Sequence, residues 1–256
     1  MTFAFTLGSY RLADFVHLGL KQLKKLSPDS PILVSDDLSP ESAHIKAIAE
    51  ANGAQYRCSK VRRGHFANDC QSFVHAIAFA EAAGADIAVK VSQRFIFRRP
   101  EVITAITDAF SDPNILVVTP GQPKVGALGA LGRPHGFGAF TTLSDIVAIR
   151  VGCISPTEML HMYRERLMRE KVPWGSFLEC LIDEFHHSKF PGRTIRLDQI
   201  TNHNGTAEDP LYLRRYQNHP GQYQALAETH GIGGVWPLQE WSALDGKNYI
   251  CKPMVI

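Results

Sequence analysis

Ala85-Asp86-Ile87-Ala88-Val89-Lys90-Val91-Ser92-Gln93-Arg94 is an apolar run that turns basic and hydroxylated at its end. A short apolar run of this kind reads as a strand, here over 86–91. A long helical stretch over 68–83 precedes it, and a helix started by Pro100 and reaching about residue 110 follows it. A strand set between helices is the repeating unit of an α/β sheet, and period-two alternation puts Lys90, Ser92 and Arg94 on one side of its end, with Arg98 and Arg99 just beyond.

The same alternation extends upstream. Strands are predicted over 3–7, 31–35 and 54–58, with helices over 13–26 and from Ser39-Pro40-Glu41 to Asn52-Gly53. Ser39 suits a helix cap, Pro40 the first helical position and Gly53 a stop. Asn68 and Gln71 stand at capping-box-like spacing. Downstream, strands are expected over 115–118, 144–149 and 194–197, and helices over 156–171, 175–186 and 211–227. The glycine- and proline-rich stretch 120–138, with Gly126, Gly129 and Gly132 at its centre, reads as a long loop. It lacks the strand-to-helix placement of a dinucleotide fingerprint. The fold class expected is α/β, a mostly parallel central sheet with helices on both faces and a C-terminal elaboration, without repeats or a linker.

A chain of 256 residues, 45% hydrophobic and 20% charged, suits a globular protein with a sizeable core. Its formal charge of +2 gives no argument for a nucleic-acid partner or an anionic membrane. Cys58, Cys70, Cys153, Cys180 and Cys251 are odd in number and form no CxxC pair, so neither a disulfide framework nor a zinc site is suggested and a reducing cytoplasm is expected. The N-terminus lacks the pattern of a signal peptide, and no apolar run approaches the ~20 residues of a membrane helix.

Ligands of open α/β sheets sit beyond the carboxyl ends of the strands, which singles out four places. Thr6, Ser9 and Arg11 follow the first strand and suit a base or phosphate, or form an ordinary turn. Asp36 and Asp37 follow the second, as acceptors for a base edge or ribose hydroxyls, or as solvated turn residues. Arg62, Arg63 and Asn68 follow the third and lead to a helix N-terminus, a setting for an anion or a basic surface loop with a cap. Lys90, Ser92 and Arg94 end the fourth, facing a diphosphate or standing as basic residues at an exposed strand end.

The succession Phe5-Thr6-Leu7, Val34-Ser35-Asp36-Asp37, Arg63-Gly64-His65-Phe66-Ala67-Asn68-Asp69 and Ala85-Asp86-Ile87-Ala88-Val89-Lys90 resembles the nucleotide-binding half of GT-A glycosyltransferases over about residues 1–150. It is similar in character to bacterial lipopolysaccharide-type transferases of the WavE kind, which carry a Lys-x-Arg-x-Asp segment after the fourth strand and a later Ser-Asp. Lys90 matches the lysine and Ser144-Asp145 the later pair, while Ser92 and Arg94 stand where the arginine and aspartate would be. The resemblance implies one domain over 1–256, with a nucleotide-binding half over 1–120 and an acceptor-side half over 121–256. It implies a nucleoside contact from Asp36 or Asp37 and a diphosphate near Arg63 to Asn68 and Lys90. Asp145 and Glu179 are the candidates for the base that takes the acceptor proton.

The function expected is hexosyltransferase-like: transfer from a nucleotide-sugar donor to a glycan or lipid-linked acceptor, as in polysaccharide biosynthesis, with lysine and arginine in place of a metal and no cofactor. Two alternatives stand beside it. One is a binding or scaffold protein that kept the fold and lost the chemistry. The other is a nucleotidyltransferase, disfavoured by the absence of a glycine-rich first loop. Asp183, Glu184, His186 and His187 share a predicted helix face that resembles metal-ligand spacing but reads as solvated surface. His203-Asn204-Gly205 is a candidate turn near the cleft.

Overall fold

The structure is a computed structural model that describes residues 1–63, 65–119, 145–170, 186, 189–202, 205–206, 208–214 and 219–233. Within them the chain runs β1 (Phe3–Ser9), α1 (Ala13–Leu26), β2 (Ile32–Asp36), α2 (Ser42–Ala51), β3 (Gln55–Cys58), α3 (His65–Ala82) and β4 (Ile87–Ser92). There follow β5 (Ile96–Phe97), α4 (Glu101–Ser111), β6 (Val117–Thr119), β7 (Ile146–Arg150) and α5 (Pro156–Glu170). The last elements are β8 (Thr194–Arg196), α6 (Leu197–Ile200), β9 (Tyr212–Leu213) and α7 (Pro220–Thr229).

Seven strands make one sheet in the order β3-β2-β1-β4-β7-β6-β8. The pairs β1–β2, β1–β4, β2–β3 and β6–β8 are parallel; β7 runs antiparallel to both β4 and β6. The sheet is thus mostly parallel, as expected, with one reversed strand inside it. At its start, Asp86 accepts the backbone N–H of Thr2 at 2.7 Å, and these bonds hold its carboxyl below the usual carboxylate range.

Side-chain alternation divides the sheet's faces. Phe3, Phe5 and Leu7 of β1, with Val89 and Val91 of β4, pack against Val16, Leu20 and Leu23 of α1, Ile45 of α2 and Ile106 of α4. Ala4 and Ala88 face the other way, against Phe73, Val74 and Ile77 of α3 and Met159 and Tyr163 of α5. Each of the larger of these side chains, fully buried, contributes about 1.5–3 kcal/mol of transfer free energy. α1 carries apolar residues on a second stripe: Phe15 and Leu18 meet Ile96, Leu213, Tyr223 and Ala227. That stripe docks α7 and the small β5–β9 ribbon, in which Ile96 pairs with Leu213 and Phe97 with Tyr212.

Three expectations change. The stretch 211–227 is not one helix: β9 takes its start, and α7 opens only at Pro220, where the ring fits the first turn of a helix and not an interior. α3 begins at His65, so Asn68 lies inside its first turns and not at its cap. Ser39 does not cap α2, whose N-cap residue is Glu41, because its side chain is drawn to Asp36. The loop predicted over 120–138 lies outside the described residues, as does nearly all of the helix predicted over 175–186. Among the described residues, no helix is long and apolar enough to cross a membrane.

Candidate functional site

The carboxyl ends of β1, β2 and β4 stand side by side, with Ser9 in register with Asp36 and Gly8 with Ser92. Backbone bonds continue past the strands. Asp37 N–H donates to Ser9 O at 2.9 Å, Gln93 N–H to Gly8 O at 3.1 Å, Ser59 N–H to Asp36 O at 2.8 Å and Ser92 N–H to Asp145 O at 2.9 Å. All four segments singled out from the sequence therefore meet along one edge.

Asp36 is fully buried there, and its carboxylate is satisfied from inside the protein. It accepts Ser9 Oγ–H at 3.0 Å, Ser39 N–H at 3.0 Å, the Ser39 hydroxyl and Tyr56 O–H at 3.0 Å. Burial, then the adjacent Asp36 charge, pushes the Tyr56 phenol far up, so it stays a donor. A carboxylate filled this way ties β1, β2 and β3 together rather than facing a base or ribose. Asp37, also buried, accepts Arg63 N–H at 2.9 Å, while the Arg63 guanidinium donates to Ser59 Oγ at 2.7 Å.

On the sheet face under α3 lies an unusual polar layer. Lys90 is 0% exposed and its Nζ donates to Asp69 Oδ1 at 2.9 Å, so it is not the exposed strand end that one sequence reading allowed. His75 bridges Ser35 Oγ, 2.9 Å from Nδ1, and Gln71 Nε2, 3.1 Å from Nε2. With the amide nitrogen facing it, Nε2 accepts and Nδ1 carries the proton. Burial first, then Arg57 and Arg63, lowers its pKa to about 3. Thr6 Oγ1, Asn68 Oδ1 and Gln71 Oε1 are enclosed in this layer without hydrogen-bond partners among the described residues, a costly arrangement that structures retain at few positions. Ser92 Oγ accepts the N–H groups of Arg94 at 3.3 Å and Phe95 at 3.1 Å, closing the strand in a turn.

Asp145, buried at the start of β7, accepts Arg214 Nε–H at 2.9 Å and a second guanidinium N–H at 2.8 Å on the same oxygen. Burial works against the Arg214 charge, but Asp145, Tyr212 and Asp198 together outweigh it and raise its pKa. Arg98 and Arg99 turn from the edge to Asp209, at 3.4 and 2.8 Å, so they do not extend the Lys90 cluster. Glu179, Asp183, Glu184, His187, His203 and Asn204 lie outside the described residues. His186 is 0% exposed and sits 2.9 Å from Tyr163 O–H, in the interior and not on a solvated face.

The sequence reading passed over Tyr10 and Gln93. Gln93 binds the Tyr10 backbone twice, accepting its N–H at 3.0 Å and donating to its carbonyl at 3.1 Å. The guanidinium carbons of Arg62 and Arg11 lie over the Tyr10 ring at 4.3 and 5.5 Å from its centroid. The signal available was an aromatic residue beside an arginine directly after a strand. Arg11, Leu12 and Leu38 have left-handed backbone at φ 58, 56 and 56°, costing roughly 1–2 kcal/mol each and concentrated at this edge.

A divalent cation needs several converging oxygen ligands. At this edge Asp36, Asp37, Asp69 and Asp145 are each bonded to internal donors, and Ser92-Gln93-Arg94 supplies no carboxylate. Among the described residues no group of three His, Cys, Asp or Glu side chains comes together. These residues do not fit such an ion.

No family model and no curated protein matches the sequence. Among solved structures, the chain is similar to a cytidylyltransferase from Leptospira borgpetersenii at TM-score 0.50 and 12% identity, covering 93% of this chain and 100% of that one. It is also similar to glucosyl-3-phosphoglycerate synthase from Mycobacterium tuberculosis, solved with Mn2+, UDP and glucosyl-3-phosphoglycerate, at TM-score 0.50 and 16% identity, covering 91% and 81%. Likeness at such identity speaks for the fold: a GT-A-like α/β sheet shared with nucleotidyl- and glycosyltransferases.

Proposed function

We propose that the chain, acting as one domain over 1–256, transfers a glycosyl group from a nucleotide-sugar donor to a glycan or lipid-linked acceptor without a metal ion. One observation carries this reading: the four post-strand segments converge on the carboxyl edge of a GT-A-like sheet, where Arg11 and Arg62 lie over the Tyr10 ring and the carboxylates are bonded to internal donors. The nucleoside lies by Asp37 and Ser9, with Asp36 holding the edge from behind. The diphosphate meets Arg11, with Arg63 holding the segment after β3 through Ser59 and Asp37, and its developing charge is met by cations where other transferases employ an ion. Lys90, paired with Asp69, acts from beneath with Thr6, Asn68 and Ser92, and Arg94 stands at the end of β4. Asp145 and Glu179 remain the proposed bases, although a base at Asp145 works against the Arg214 pair. The narrower likeness to WavE-type enzymes, a cytoplasmic setting and a part in polysaccharide synthesis belong to the same proposal.

The inward commitment of Asp36, Asp69 and Asp145 favours a second reading, a nucleotide- or glycan-binding protein without turnover. Incubation with a panel of nucleotide sugars and candidate acceptors, with and without EDTA, separates the two. Transfer with release of a nucleoside diphosphate, undiminished by EDTA, is expected. Binding without product supports the second reading, release of pyrophosphate indicates nucleotidyl transfer, and turnover abolished by EDTA contradicts metal independence.

A further inference from the structure

We propose that Arg11 and Arg62, arranged about the Tyr10 ring by Gln93, form a clamp for a diphosphate anion. The clamp deepens the transferase reading and rests on it only in taking the donor as the source of that diphosphate.

Most arginines near this edge are already spent. Arg63 binds Ser59, Arg98 and Arg99 bind Asp209, and Arg214 binds Asp145. Arg11 and Arg62 differ: among the described residues neither has a carboxylate within salt-bridge distance, and the Nε–H of each is enclosed without an acceptor. Both guanidinium groups lie over one ring, which places them within about one Debye length of each other at 0.1 M salt. Two uncompensated cations this close repel, and a multiply charged anion between them converts that repulsion into attraction. Guanidinium forks match phosphate oxygens two at a time, which favours a phosphate-type anion over chloride or a lone carboxylate.

The surroundings hold the pair ready. Gln93 fixes both backbone polar groups of Tyr10, adding one side-chain rung beyond the Gly8–Ser92 register. Arg11 donates its backbone N–H to Ser39 Oγ at 2.7 Å and takes a left-handed conformation there. The acidic groups nearby are engaged: Asp36 by Ser9, Ser39 and Tyr56, Asp37 by the Arg63 N–H, and Glu41 by the Ala13 N–H at 3.3 Å. The Tyr10 ring adds cation–π attraction that keeps the two cations in place when no anion is bound. Among the described residues the Gln93 side chain bonds to the Tyr10 backbone and to neither cation, so it acts as a positioning residue.

The test is binding of inorganic pyrophosphate to the full chain by calorimetry and thermal shift, with UDP and CDP as further arms. Wild-type protein is expected to bind, and Arg11→Gln and Arg62→Gln each to weaken binding about tenfold or more. Tyr10→Phe keeps binding and Tyr10→Leu loses it, because the ring and not the hydroxyl carries the cations. Gln93→Leu weakens pyrophosphate binding, and in turnover raises the donor KM while sparing kcat. Lys25→Ala, an exposed cation at the end of α1, changes nothing. Absence of pyrophosphate binding in the wild type, or equal affinity in the Arg11→Gln/Arg62→Gln double variant, overturns the clamp. Sugar transfer with clamp-independent pyrophosphate binding refutes the clamp alone, while clamp-dependent binding without any transfer refutes the transferase reading alone.

Discussion

His75 is kept neutral by its surroundings, and this gives it a measurable signature. Its pKa is lowered to about 3 in the folded protein from the ordinary imidazole value of 6.5. Below pH 6.5 the unfolded chain takes up a proton that the folded chain refuses, so stability falls as pH drops toward 3, by about 2 kcal/mol at pH 5. Urea unfolding at pH 7 and pH 5 is expected to show that loss in the wild type and much less of it in His75→Gln; identical losses would contradict the assignment. Lys90 forms an enclosed ion pair with Asp69 at 2.9 Å. Lys90→Met removes the cation facing the buried Asp69 carboxylate and costs roughly 3–5 kcal/mol, whereas Lys90→Met with Asp69→Leu recovers most of it. Denaturant midpoints of the three proteins decide this, and a double variant no better than the single one would count against it. A drop in activity of Lys90→Met read without its stability would mislead.

At the scale of elements, the approach of β1 to α3 is set by Gly8. A Cβ there meets Ser72 Oγ at 3.1 Å and Ser72 Cβ at 3.3 Å, with Lys90 Cε at 3.5 Å. Gly8→Ala is expected to cost about 1–3 kcal/mol by pushing the polar layer apart, and Gly8→Val more, as a lowered melting temperature would show. The elements were unevenly legible in the sequence. α1 occurs over the residues expected, because Val16, Leu20 and Leu23 repeat at helical spacing. The existence of β7 was legible, but its direction was not: Ile146 to Ile149 are buried on both faces, and such a strand reads the same either way. β5 and β9 are two residues each, too short to show a period, and exist through pairing across more than a hundred residues. The site was legible as residue types at strand ends. Its partnerships were not, because Asp36 with Tyr56, Lys90 with Asp69 and Asp145 with Arg214 are made only when distant segments meet.

Over the whole molecule, the sheet divides its labour. Parallel strands β3, β2, β1 and β4 present the candidate site, and β7 with Asp145 closes that edge on the other side. β1, inside the sheet between β2 and β4, is made before β4. Its neighbour β4 follows far behind, as the Thr2–Asp86 bond across 84 residues records. A ribosome adding ~5–20 residues per second leaves an interval of about 4–17 s between the two. Throughout that time Phe3, Phe5 and Leu7 belong to a strand with at least one edge unpaired, in a segment whose alternation also suits pairing between chains. A chaperone at the tunnel exit therefore bears on how much of this chain reaches its folded form, since placing β1 between β2 and β4 makes the nascent protein wait for its own third of a sequence.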